Sequence, residues 1–225
     1  MSEKIIPDQI IRSRRKTLSV TVDVFGRIIV RAPLRYGEER IFSFLEEKRA
    51  WIIRHKTRRM QAAQTLPSAD LEGYRFLLLG RYVRIRLYNL SRIRFERGEE
   101  EEVIFLPKVK SRERLLKWLK ENAKRIFSAE AERRASEMGV SFRSVSVGSA
   151  KSRWGSCSAD NALHFSFRLI YAPREVIDYV IVHELAHTVH KNHGSGFWAL
   201  VEKYVPRRKA LRAWLKDHAF VMEIF

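Results

Sequence analysis

Cysteine is nearly absent from this 225-residue sequence, and the single one, Cys157, rules out an internal disulfide framework. Long apolar runs are missing too: none approaches the ~20 residues that span a bilayer. Met1-Ser-Glu-Lys-Ile-Ile-Pro7 lacks the apolar centre of a signal peptide, so a cytoplasmic location without membrane attachment is expected. Internal repeats, low-complexity stretches and glycine-rich phosphate loops are also lacking. Acidic residues are scarce, with 26 Asp+Glu against 44 Lys+Arg, a net charge of +18. Such an excess favours phosphate-rich partners through counterion release, or acidic protein surfaces through steering.

The positive charge gathers in two places, Arg12, Arg14, Arg15 and Lys16, then Arg54, Lys56, Arg58 and Arg59. The second cluster also suits a solvated helix C-terminus. Neither carries the interleaved aromatics of a single-strand stacking platform, so DNA or another nucleic acid would be held mainly by its phosphates.

Apolar periodicity supplies the elements. Leu18, Val20, Val22 and Val24 alternate and Ile28 and Val30 resume after a Phe25-Gly26-Arg27 turn, which predicts a hairpin. Gly37 to about Met60 reads as one helix, and 62–70 as a linker. Strands are expected on either side of Gly80, and a second hairpin over Ile93 to Leu106. Ser111 to about Met138 reads as a long helix closed by Gly139. Val145 and Val147 mark a short strand, and Leu163, Phe165, Phe167 and Leu169 another, with Pro173 opening a buried helix. This order predicts an α+β protein, with a β-rich part over 1–107 and a compact part over 108–225.

That last helix carries His183-Glu184-Leu-Ala-His187, an H-E-x-x-H pattern. Residues four apart on a helix share a face, so two imidazoles can grip one zinc ion beside a carboxylate. A reactive zinc site needs a third protein ligand and an open position. His190 lies seven residues past His183, roughly 10 Å along a straight helix, and converges poorly. His193 fits if the helix stops first, with Asn192 as its left-handed end and Gly194 and Gly196 delaying the next element. His190 is then left to support the site or face solvent.

Four blocks carry a family resemblance: Ile11-Arg-Ser-Arg-Arg-Lys-Thr-Leu-Ser19, Arg153-Trp-Gly-Ser-Cys-Ser158, Tyr179 to His187, and Asn192-His-Gly-Ser-Gly-Phe-Trp198. They resemble the YgjP-like family of zinc metallopeptidases, related to SprT-like and Spartan-type proteases. The resemblance implies a zincin-like minimal metallopeptidase domain made of a long helix, a small antiparallel sheet and the H-E-x-x-H helix. It also implies His193 as third ligand, since in that group the histidine of the H-G-x-x-F block completes the zinc site. Spartan-type relatives cleave DNA-bound proteins, which makes DNA a candidate partner beside a protein or peptide substrate.

The expected chemistry follows. One zinc per chain lowers the pKa of its water toward ~7, and Glu184 serves as the general base. Arg153, His164, His190, Tyr204 and His218 are all candidates for steadying the oxyanion. An extended substrate is expected to pair with the Leu163 to Leu169 strand as a sheet edge. The Lys151 to Cys157 loop reads as packed structure anchored by Trp154, and Cys157 as a small hydrophobe. Two other readings compete: a metal-dependent nucleotide phosphohydrolase (a pyrophosphatase), and a nucleic-acid-associated protein with a structural zinc site.

Overall fold

The computed structural model describes residues 4–22, 26–64, 71–98 and 101–218, with side chains in the second helix described up to residue 57. Expectations on the Val24-Phe25 turn, most of the 62–70 linker and Arg58 and Arg59 therefore lie outside the described residues. The chain forms an α+β protein of two compact units, 1–66 and 67–225.

In the first unit, strands β1 (Gln9–Ser13), β2 (Ser19–Val22) and β3 (Ile28–Pro33) form a sheet with β3 in the middle. The expected hairpin is β2 antiparallel to β3, while β1, which the alternation did not reveal, runs parallel to β3. Val22, Ile28, Val30 and Ala32 face Ile41, Leu45 and Ile52 in a core of their own. The helix expected from Gly37 is two helices, α1 (Glu38–Glu47) and α2 (Arg49–Gln64), broken at Lys48 (φ −95°, ψ 5°). No proline or glycine marks that break in the sequence.

The second unit starts with β4 (Arg75–Leu78), β5 (Arg81–Tyr88), β6 (Arg94–Arg97) and β7 (Glu102–Pro107), in the order β4-β5-β7-β6. Helix α3 (Ser111–Met138) follows and ends on Gly139 at φ 66°, the left-handed conformation expected there. It buries Leu115, Leu119, Ala123, Phe127, Ala131 and Ala135, one residue per turn. Val83, Ile85, Ile104 and Leu106 of the sheet share one core with this stripe and with Ile181. The contact boundary thus falls at 66/67, whereas the sequence division falls at 107/108.

Next come β8 (Ser144–Gly148), β9 (Gly155–Cys157), β10 (Ala162–Ser166), a 3-10 turn (Phe167–Tyr171), α4 (Arg174–Val189), α5 (Ser195–Tyr204) and α6 (Arg208–Asp217). Three expectations need correction here. The small sheet is mixed rather than antiparallel, because β10 runs parallel to β8 and antiparallel to β9. The strand expected through Leu169 stops at Ser166, where the chain enters the 3-10 turn, all five residues of which are buried. And β10 is the central strand, so the edge beside α4 belongs to β9.

Two devices seat α4. Arg134 of α3 pairs with Asp178. At the other side, Gly80 (φ 79°) lets the β4–β5 turn press on the helix cap, where a Cβ would stand 2.9 Å from Pro173 Cα. Among the described residues no helix is long and apolar enough to cross a membrane.

Candidate metal centre and active site

Helix α4 is apolar nearly all round, with Val176, Ile177, Val180, Ile181, Val182, Leu185 and Ala186 buried. It therefore carries His183, Glu184 and His187 into the interior. The helix ends at His190, which is extended (φ −118°, ψ 103°), and its N–H donates to Ala186 O. Asn192 is not left-handed, contrary to expectation, and α5 starts directly after Gly194. The turn between the helices swings His193 back over α4.

The outcome is a cluster. Ligand-capable nitrogens of His183, His187 and His193 all lie within 4.8 Å of one another. His183 Nε2 and His193 Nε2 stand 3.1 Å apart. Two imidazole lone pairs at that distance repel unless a proton or cation lies between them. Burial, with the neighbouring histidines and Arg212, pushes His183 down to about 3, and burial also lowers His187. Both rings are thus neutral near pH 7, the form that ligates metals. His187 Nδ1 lies 3.0 Å from the His190 carbonyl, which can accept only from Nδ1–H and so directs the Nε2 lone pair into the cluster. His190 supports the site through this carbonyl, while its ring packs against Gly196. Phe197, 1% exposed, forms the floor, with its ring 4.9, 4.5 and 4.6 Å from those of His183, His187 and His193.

Glu184 is 6% exposed, and burial pushes its carboxyl up to about 7 against the opposing field of Arg153. Strand β9 lies directly against this carboxyl. A Cβ on Gly155 would lie 2.8 Å from both Glu184 Cγ and Oε1, so the strand can come this close only through a glycine. The loop read from sequence as mere packing therefore touches the carboxylate. Trp154 does pack partly buried against the core, and the half-buried Cys157 lies outside the histidine cluster, donating to Ser158 O at 3.5 Å.

The oxyanion candidates separate in space. Tyr204 donates its hydroxyl to Glu137 O, and His218 stacks on Trp214 with Nδ1 on its carbonyl. Arg153 is the candidate whose charge reaches Glu184. Sequence reasoning missed Arg212 of α6, whose field reaches His183 and Tyr179, and Trp198, whose ring lies 5.5 Å from that of His193. Trp198 stood within a quoted block, but Arg212 has no local signal, since only the fold of α6 brings it near.

Comparison with protein families matches the YgjP-like metallopeptidase domain over residues 16–218. The chain belongs to the YgjP-like metallopeptidase family. Two solved structures are similar in part. The metallopeptidase zymogen abylysin of Pyrococcus abyssi is 22% identical, over 40% of this chain and 93% of that one, with a TM-score of 0.38. The zymogen jannalysin of Methanocaldococcus jannaschii is 20% identical, over 40% and 91%, with a TM-score of 0.36. Curated proteins give no match. Membership of the YgjP-like family makes the chain a metallopeptidase, a hydrolase acting on proteins or peptides.

Proposed function

We propose that this metallopeptidase is zinc-dependent, with His183, His187 and His193 holding one zinc and Glu184 acting as general base. The observation that carries this is the convergence of three imidazoles beside a buried carboxyl raised to about 7. Neutral nitrogen donors in threes suit zinc with one position left open. Zinc bound there would supply Lewis acidity, polarising a water and the scissile carbonyl. The chain's own groups do the rest. Glu184 takes the proton of the attacking water and passes it to the departing amine. Arg212, whose field reaches His183, supplies positive charge for the developing oxyanion. The open edge of β9 takes the substrate as an added strand, next to Glu184 through Gly155.

The test is Glu184→Gln. Zinc content should persist, because the residue is not a ligand, while hydrolysis of unfolded protein substrates falls by orders of magnitude. Full activity in that variant removes Glu184 from the mechanism. Nucleoside triphosphates assayed in parallel check the phosphohydrolase alternative.

A nucleic-acid partner has one favourable observation in the first unit. Ser13, Arg14, Arg15, Lys16 and Arg35 line an open pocket of about 380 Å³ that no carboxylate lines. Phosphate binding there would be weakly selective for sequence.

A further inference from the structure

On the small sheet, register places Ser146 of β8, His164 of β10 and Ser156 of β9 side by side. This row lies on the face opposite Leu163 and Phe165, which are buried in the core. Above it is a cleft of about 390 Å³, to which Arg153, Gly155 and Ser166 also contribute. No carboxylate lines it. Arg153 is exposed and makes no ion pair among the described residues. Ser146 Oγ shares a hydrogen bond with His164 Nδ1, which leaves Nε2 as the ring nitrogen available to a ligand. The cleft thus offers a guanidinium, an imidazole and hydroxyls, a set suited to a carboxylate.

Its place relative to β9 says what would bring a carboxylate there. An extended peptide paired with the β9 edge continues the pleat of the sheet, so every second side chain lies on this face and the one opposite Ser156 extends the Ser146–His164–Ser156 row. We infer that this cleft is a substrate subsite selecting an aspartate or glutamate side chain, with Arg153 as its principal specificity determinant. The inference rests on the peptidase reading for its biological use, but the recognition can be measured without cleavage.

Labelled extended peptides, identical except for Glu or Gln at one scanned position, would be titrated by fluorescence anisotropy against full-length Glu184→Gln protein. Cleavage of the same peptides by the unaltered enzyme would be followed in parallel. The expected result is a preference for Glu of about tenfold at one position, or at positions two apart, as the pleat requires. Arg153→Glu should reverse it in favour of Lys, and Ser156→Asp provides the same reversal from a second site should the first variant fold poorly. Equal affinity for Glu and Gln at every position, or a preference unchanged in both variants, overturns the subsite. Selective binding without cleavage of any peptide supports the subsite and overturns the peptidase reading.

Discussion

Burying Glu184 has a thermodynamic consequence that can be measured in metal-stripped protein. Its carboxyl moves from an ordinary 4.5 up to about 7 because β9 and α4 exclude water from it. A group whose folded pKa is raised contributes stability that is fully present below its unfolded value. That contribution is lost as pH rises through the folded value, here between about 4.5 and 7. At about 1.4 kcal/mol per unit, the loss between pH 4.5 and 8 is about 3 kcal/mol. Glutamine has no such titration, so Glu184→Gln should gain relative to the unaltered protein as pH rises. For a chain of this size each kcal/mol is worth about 2–4 °C in Tm, so the gap should widen by about 5–10 °C from pH 5 to pH 8, over which the loss is about 2.5 kcal/mol. Thermal unfolding in chelator at pH 5, 6, 7 and 8, followed by circular dichroism, reads it directly, and other titrations cancel in the difference. Restoring zinc should narrow the gap, because a nearby cation favours the carboxylate. A difference between the two proteins that stays flat across this range refutes the burial argument.

Other perturbations separate the parts of the site. His193→Ala should lower zinc affinity sharply by metal titration, whereas His190→Ala should leave it near normal, because it is the backbone carbonyl of residue 190 that holds His187. Gly155→Ala should cost about 1–3 kcal/mol in denaturant unfolding and depress activity further, since its Cβ must displace Glu184. If the four cations of the first unit's basic pocket contact phosphates, DNA affinity should fall about 100-fold between 50 and 200 mM salt. No binding at the lower salt sinks that idea and leaves the peptidase assignment untouched.

What the sequence revealed depended on whether the causes were local. The H-E-x-x-H helix, the Gly139 stop and the β2–β3 hairpin rest on spacings within a few residues, and all were legible. Strand β1 was not: Ile10 and Ile11 are adjacent rather than alternating, and its partner β3 lies 20 residues on. The alternation from Leu163 to Leu169 runs past the true strand end, because Phe167 and Leu169 flank a polar Arg168 that is itself buried in the 3-10 turn. His193 does lie beside His183 and His187, although by other means than expected. No left-handed Asn192 closes α4; an extended His190 does, and apolar spacing carries no sign of that.

The Lys151 to Cys157 segment shows why a choice between packing and chemistry was the wrong division. Ser166 donates its hydroxyl to Ala150 O at 2.7 Å and its N–H to Trp154 O at 2.9 Å. Arg168, 2% exposed, donates to Ser149 O at 3.0 Å with its guanidinium 4.5 Å from the Phe167 ring centre. Burial lowers its pKa, which measures how unfavourable that placement of charge is. These bonds hold both ends of the loop and leave its tip, Arg153, exposed. With the ends held, Gly155 is fixed against Glu184, and that contact dehydrates the carboxyl and raises its pKa to about 7. The packing of the loop is thus the means by which the proposed general base is tuned: loosening Ser166 or Arg168 would let water reach Glu184 and return its pKa toward that of an ordinary carboxylate.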